Sequence, residues 1–102
     1  MHVNDEGFVS ADVVMEEMLK TFRERSAAYK SNYLMIGDAL EKLFPDGVVL
    51  RTAYDHNRWH LYLMVLVKAT RLACTDLEHV DSAMDMSVYS AMFTGLIKSE
   101  PK

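Results

Sequence analysis

The chain has 102 residues, of which 50% are hydrophobic and 25% are charged, and its 15 acidic and 11 basic side chains give a formal net charge of −4. This composition is typical of one globular domain and is too apolar for a disordered chain. The acidic balance argues against direct nucleic-acid binding, because such affinity comes mainly from cationic contacts to phosphates. The lone cysteine excludes a disulfide framework. The acidic N-terminus and the short apolar runs predict a cytoplasmic protein without a membrane segment.

The first predicted element is a helix from about Ala11 to Tyr29. Ser10 is a suitable N-cap for it. Val14 and Met18 belong to an apolar stripe that repeats with the period of a helix. Residues 1–9 are expected to form a flexible N-terminus.

A second helix is predicted from Ser31 or Asn32 to a turn at residues 45–47. The turn has the sequence Pro-Asp-Gly, in which proline lacks a backbone donor and glycine accepts left-handed dihedrals. Residues 48–50, Val-Val-Leu, are too short to form a sheet without a partner run. We therefore predict that they form an extended connector that packs on the core.

Two further helices are predicted in the second half of the chain. The third begins at Thr52 or Asp55 and continues to about Leu72. The fourth begins at residues 75–78, where Thr-Asp-Leu-Glu has the pattern of a capping box, and ends near Lys98. Four helices without a credible pair of strands predict an all-α, four-helix antiparallel bundle that forms a single domain.

A very short connection between the third and fourth helices predicts an antiparallel helical hairpin. Residues at equal distances from the turn then lie at the same level, because each helix rises by about 1.5 Å per residue. This geometry predicts that Lys68 faces Asp81 and that Arg71 faces Glu78. Asp85 lies one turn beyond Asp81 on the same face, and two carboxylates at that spacing repel each other unless a cation lies between them.

Each of these charged residues also has a purely structural explanation. The capping box alone accounts for Glu78. Asp81 and Asp85 are equally compatible with a solvated helix face, and Lys68 can extend to water from the edge of an apolar face. The sequence pattern therefore leaves open a functional polar site and a structural set of ion pairs.

Three stretches of the chain resemble one protein family. The strings RERSAAYKSNYLMIGDALEKLFPDGVVL, DHNRWHLYLMVLVKATRLA and HVDSAMDMSVYSAMF are similar to small phage-encoded proteins of uncharacterised function, which are related to nucleotide-modification-associated domains. The resemblance extends from about Phe22 to Leu96. This chain departs from the family pattern at residues 77–78, where Leu-Glu replaces Gly-Gly and predicts a capped helix start instead of a flexible turn. The polar positions that carry the resemblance are Arg25, Tyr29, Asn32, Lys68, Arg71, His79, Asp81, Ser82, Asp85 and Tyr89.

The resemblance implies a phage accessory protein of the host-cell cytoplasm that binds or acts on nucleotides. MazG-like helical nucleotide pyrophosphohydrolases are a more distant analogy, since they hold Mg²⁺ with acidic residues on facing helices. The Glu78-x-x-Asp81 pattern resembles half of their motif, and a homodimer could supply the missing half. Enzymatic activity and catalytic residues are left open. On this hypothesis, Asp81, Asp85 and Glu78 bind Mg²⁺, while Lys68, Arg71 and Arg25 bind phosphate oxygens, with Tyr29, His79 and Tyr89 in support.

The alternative hypothesis is a non-enzymatic phage protein that binds a host or phage protein. In that case the same charges form a structural network that holds the helices in register. The apolar run from Leu61 to Val67 and the high content of methionine and aromatic residues also predict a homodimer, because a short bundle does not cover so wide a stripe alone.

Overall fold

A computed structural model describes residues 7–29 and 32–99 of the chain. Its helices confirm the predicted all-α fold with four helices. The chain divides into two compact units, one within residues 1–30 and the other within residues 31–102. Ser31 and most of the predicted flexible N-terminus lie outside the described residues. The helices are α1 (Ala11–Tyr29), α2 (Asn32–Leu43), α3 (Ala53–Cys74) and α4 (Val80–Ser99).

The first unit contains α1, which begins and ends at the predicted residues. Val14 and Met18, which define its predicted apolar stripe, are both exposed, and so are Met15 and Phe22. The helix thus has the predicted amphipathic pattern but leaves the large hydrophobic side chains of that pattern accessible.

The second unit begins with α2, which ends just before the predicted turn. The Phe44 N–H donates to the Leu40 carbonyl at 2.8 Å, and the Gly47 N–H donates to the Phe44 carbonyl at 3.0 Å. Gly47 has φ of +80°, a conformation that glycine adopts without a steric penalty. The connector that follows is less covered than predicted, because Val49 is exposed while Leu50 is half-buried.

Four aromatic side chains join the helices of the second unit. Phe44 packs edge-on against Trp59 and Tyr62, with ring centroids 5.3 and 5.6 Å apart, respectively. Tyr62 also packs edge-on against Phe93 of α4, at 6.5 Å. Such pairs contribute about 0.5–1.5 kcal/mol each beyond the area that they bury. This cluster is where the chain after α2 meets α3 and α4.

A capping box starts α3, with Thr52 as the N-cap. The Asp55 N–H donates to Thr52 Oγ1 at 3.1 Å, and the Thr52 N–H donates back to Asp55 Oδ2 at 3.2 Å. The backbone N–H of Arg51 donates to the same carboxylate at 3.0 Å, and Arg58 Nη2 donates to Oδ1 at 2.8 Å. These donors, above all the Arg51 N–H, lower the pKa of Asp55 to about 2.

The predicted start of α4 at residues 75–78 is wrong, because this segment ends α3 instead. The Thr75 hydroxyl donates to the carbonyls of Arg71 and Leu72 at 2.8 and 3.3 Å. The Leu77 N–H donates to the Leu72 carbonyl at 2.8 Å, and Asp76 has a left-handed φ of 54°. This is the Schellman pattern of a helix C-terminus. Leu77 also has a positive φ, of 63°, so residues 76–77 form a turn instead of the predicted helix start.

His79, the residue just before α4, caps the N-terminus of this helix. Its ring Nδ1 accepts from the Ser82 N–H at 3.2 Å, and its carbonyl accepts from the Ala83 N–H at 3.1 Å. The turn between the two helices therefore comprises residues 75–79 and is longer than predicted. The extra residues shift the level at which α4 faces α3.

Helix α3 packs against α4 along its length and also contacts α2. Of the described residues, only two small polar side chains are buried, Ser82 at 1% and Thr70 at 6% exposure, and no hydrophobic residue is. None of the described helices combines the length and hydropathy required to cross a membrane. The interior of this unit is therefore formed by half-buried side chains around α3.

We predict that Asp55 makes the stability of the protein pH-dependent in acid. The pKa of Asp55 is about 2 in the folded chain and about 3.9 in an unfolded one. Its contribution to stability is therefore complete above about pH 5 and is lost as the pH falls towards 2. We expect Asp55→Asn to have a lower Tm than the wild type at pH 7, and the gap to narrow between pH 5 and 2.

The control is Asp38→Asn, which removes an exposed carboxylate from α2. Its Tm should stay close to that of the wild type throughout the titration. A gap between Asp55→Asn and the wild type that stays constant down to pH 2 would contradict the role of this carboxylate.

Candidate functional site

An ion pair between Lys68 and Asp85 joins α3 to α4. Lys68 Nζ lies 3.0 Å from Asp85 Oδ2, and the two side chains are 12% and 48% exposed, respectively. The lysine is therefore largely withdrawn from water, and an acid of the neighbouring helix balances its charge. The short antiparallel hairpin expected from the sequence predicted Asp81 as the partner of Lys68. The longer turn moves the facing acid one helical turn further along α4.

The other predicted residues of this hairpin lie around the pair. Asp81 is exposed in the first turn of α4, where a negative charge interacts favourably with the helix dipole. Glu78 is exposed in the turn, and its backbone N–H donates to the Thr75 carbonyl at 3.0 Å. Arg71 is half-buried about one turn from Lys68 on α3, and Tyr89 is half-buried one turn beyond Asp85 on α4.

Two of the predicted residues, Arg25 and Tyr29, belong to the first unit. Both lie in the C-terminal part of α1, where Arg25 is exposed and Tyr29 is half-buried. Their predicted roles in phosphate binding and support stay predictions.

The carboxylates do not form a metal cluster within the described part of the chain. No three histidine, cysteine, aspartate or glutamate side chains converge there on a common point. Mg²⁺ requires about six oxygen ligands, some of them from water or substrate. A magnesium site on Asp81, Asp85 and Glu78 therefore stays a prediction, and it requires further oxygen ligands from phosphates or from another chain.

The contact between His79 and Ser82 is not among the features predicted from the sequence. His79 Nδ1 lies 2.6 Å from Ser82 Oγ, in addition to accepting from the Ser82 backbone. Because Ser82 is 1% exposed, its hydroxyl is closed to a substrate and stabilises the start of α4. The three-residue spacing is that of an N-cap and its N3 partner, but histidine is not among the preferred N-cap residues.

A second unpredicted contact links α2 to α3. The Thr70 hydroxyl donates to the Val67 carbonyl at 2.8 Å and lies 3.4 Å from the Asn32 side-chain nitrogen, which donates to it. Thr70 is one of the two buried side chains among residues 7–29 and 32–99. Asn32, one of the residues that carry the family resemblance, thus connects the start of α2 to the interior.

A pocket of about 220 Å³ lies beside the aromatic cluster. Val48 and Leu50 of the connector form one part of its lining, Trp59 and Phe93 form another, and Asp55 is on its polar side. A cavity of about 150 Å³ is sufficient for benzene. The pocket therefore has room for one ring-sized apolar group, and Tyr62, the residue of its lining nearest to Lys68 along α3, precedes that lysine by six residues.

Comparisons with protein-family models, curated proteins and solved structures find no match to this chain. The structure defines an all-α protein in which α3 packs on α4. The resemblance to the phage family stays a prediction from the residues themselves.

We predict that Asp85 is more important for stability than Asp81, its neighbour one turn earlier. Asp85→Asn leaves the largely buried Lys68 ammonium without its counter-charge. We expect a loss of about 1–3 kcal/mol in the free energy of unfolding, between the values for exposed and fully buried pairs. Asp81→Asn should lose only about 0.3–1 kcal/mol of interaction with the helix dipole. Urea unfolding curves of both variants give the comparison.

A double variant separates the ion pair from other effects of Asp85→Asn. Adding Lys68→Met removes the unpaired charge and should restore part of the lost stability. If Asp85→Asn and Asp81→Asn lowered the free energy of unfolding equally, the ion pair would not be a significant source of stability.

Proposed function

We propose that the protein is a binding module whose exposed helix faces are covered by another protein chain in its working form. The supporting observation is that, among residues 7–29 and 32–99, no hydrophobic residue is buried while many large hydrophobic side chains are exposed. A domain of this length that works alone normally encloses an apolar core. Large exposed apolar patches are typical of protein interaction sites.

The outer side of α4 supports this proposal most directly. Val80, Met84 and Val88 are 72%, 62% and 47% exposed, respectively. Because they follow one another at intervals of four residues, they lie along one side of the helix. The large hydrophobic residues of α3 are all half-buried rather than exposed, which makes α3 the inner helix of the second unit.

The ion pair has a structural role in this function. Lys68 and Asp85 connect α3 to α4, and a charge pair of this kind helps to fix the register of two helices. A fixed register keeps the outer side of α4 directed away from α3. The ion pair between Lys68 and Asp85 would therefore orient the binding surface without contacting the partner protein.

A photo-reactive amino acid tests whether another chain covers this surface. A benzophenone side chain replaces Val88 in one variant and exposed Ser90, which lies on another side of α4, in the control. After irradiation of cells that express each variant, we expect covalent adducts at position 88 and not at position 90. A third variant carries the benzophenone at Met84, and absence of adducts at both position 88 and position 84 would contradict the proposed function.

A second candidate function is nucleotide binding, which the charges near the turn favour. Lys68 and Arg71 lie one turn apart on α3, and Glu78, Asp81 and Asp85 lie around the start of α4. Cationic side chains bind phosphate oxygens, and carboxylates supply oxygen ligands for Mg²⁺. The missing ligands would come from the nucleotide or from a second chain.

Thermal melts with and without Mg²⁺, in the presence of ribo- and deoxynucleotides, test this candidate. A ligand at a hundred times its Kd adds about 2.7 kcal/mol, which raises the Tm of a domain of this size by several degrees. The shift should disappear in Asp81→Asn and persist in Asp46→Asn, which removes an exposed carboxylate after α2. No shift with any nucleotide would count against this function.

A further inference from the structure

We infer that the chain covering α4 is a second copy of this protein, paired with it antiparallel through α4; this inference rests on the proposed binding function. The surface concerned is here called the outer stripe. All its members are exposed. They are Val80, Met84, Val88, Ala91 and Gly95.

The spacing of the outer stripe is suited to a helix pair. Its members follow at intervals of four, four, three and four residues, so they lie within about 80° of the helix circumference. The first three are large and the last two are small. In an antiparallel pair that superimposes the stripe on itself, Val80 of one copy lies at the level of Gly95 of the other, and Met84 lies at the level of Ala91. Val80 and Met84 then each face a small residue, while Val88 lies near the twofold axis beside its own copy, and the small residues allow the helices to approach closely.

A groove next to Gly95 offers space for the opposing side chains. It has a volume of about 460 Å³, and Leu61, Met92, Gly95 and Leu96 are part of its lining. In the same register, Val80 of the second copy lies beside this groove, and its Leu77, which is 76% exposed, lies near the far end. The twofold symmetry of the pair repeats this contact at the other end of the interface.

The charges of α4 favour a second copy in the antiparallel orientation. Asp81 lies in the first turn and Lys98 in the last turn of the helix, and Glu78 lies just before it. Antiparallel pairing brings Lys98 of each copy to the acidic end of the other, and the helix dipoles also oppose each other. Parallel pairing would place acids against acids. A helix that is acidic at one end and basic at the other is complementary to itself when reversed.

Sedimentation equilibrium of the purified chain, with two glycine variants, tests this pairing. One helix pair is at the small end of stable interfaces, so we expect a Kd of roughly 1–100 μM. Gly95→Gln places a large polar side chain in the stripe and should weaken dimerisation at least tenfold. An added Cβ at Gly95 has open space within a single chain, so the fold itself should tolerate the change.

Gly37→Gln is the matched control, because Gly37 is also a helical glycine with open space around its Cβ position. Both variants should retain or raise the Tm of the dissociated chain, since glutamine favours a helix over glycine by about 0.5–1 kcal/mol. Only Gly95→Gln should change the Kd. A wild-type chain that stays monomeric up to its solubility limit, or equal Kd values for both variants, would overturn the inference.

Thiol cross-linking with a short bis-maleimide tests the orientation, in a Cys74→Ser background. Val88→Cys lies near the twofold axis of the pair and should cross-link to itself. Val80→Cys should not, because its two copies lie about 22 Å apart along the helices, but it should cross-link to Met92→Cys in a mixture of the two chains. Self-cross-linking of Val80→Cys as efficient as that of Val88→Cys would indicate parallel pairing and overturn the inference.

The photo-cross-linking at position 88 separates this inference from the function on which it rests. An adduct with the mass of two chains supports both the pairing of two copies and the proposed binding function. An adduct with a different protein, formed by a chain that sediments as a monomer, overturns the second copy and retains the binding function. Absence of any adduct at positions 84 and 88 overturns both.

Discussion

The turn at residues 75–79 determines which side chains α3 and α4 bring together. On one side, the Thr75 hydroxyl and the Leu77 N–H satisfy carbonyls at the end of α3. On the other side, the His79 ring and carbonyl satisfy the first N–H groups of α4. Because both helix ends are capped within the same short segment, the start of α4 is tied to the end of α3. This constraint brings Asp85 to Lys68.

The two sides of α4 have different environments, and that difference connects the fold to its proposed role. Ser82 and Phe93 face the interior of the second unit, while the outer stripe is exposed. The inner contacts include one ion pair and one set of aromatic contacts, each of modest energy. Among the described residues only two side chains are buried, so the proposed association through the outer stripe would add to the stability of the chain, as binding to the folded state does in general.

Sequence patterns predicted the elements that depend on local chemistry. The bounds of α1, the Pro-Asp-Gly turn and the cap of α3 at Thr52 agree with the structure. Thr75 was assigned to the wrong helix because a threonine hydroxyl can accept at an N-terminus or donate to carbonyls at a C-terminus, and the local sequence fits both. This wrong assignment made the predicted turn between α3 and α4 too short. It therefore predicted Asp81, and not Asp85, as the acid that faces Lys68. The His79 cap was missed because histidine is not among the preferred N-cap residues. The low burial depends on tertiary packing, which periodicity does not predict.

The position of Trp59 makes the second unit observable by its own fluorescence. Trp59 is the only tryptophan of the chain, and its ring packs against Phe44 and Tyr62 at the junction of the connector with α3. An indole in such contacts changes its emission when water reaches it. The intrinsic signal therefore reports whether the segment after α2 stays docked on α3. Since Trp59 lies on α3 and the outer stripe lies on α4, this optical reporter follows internal packing separately from association.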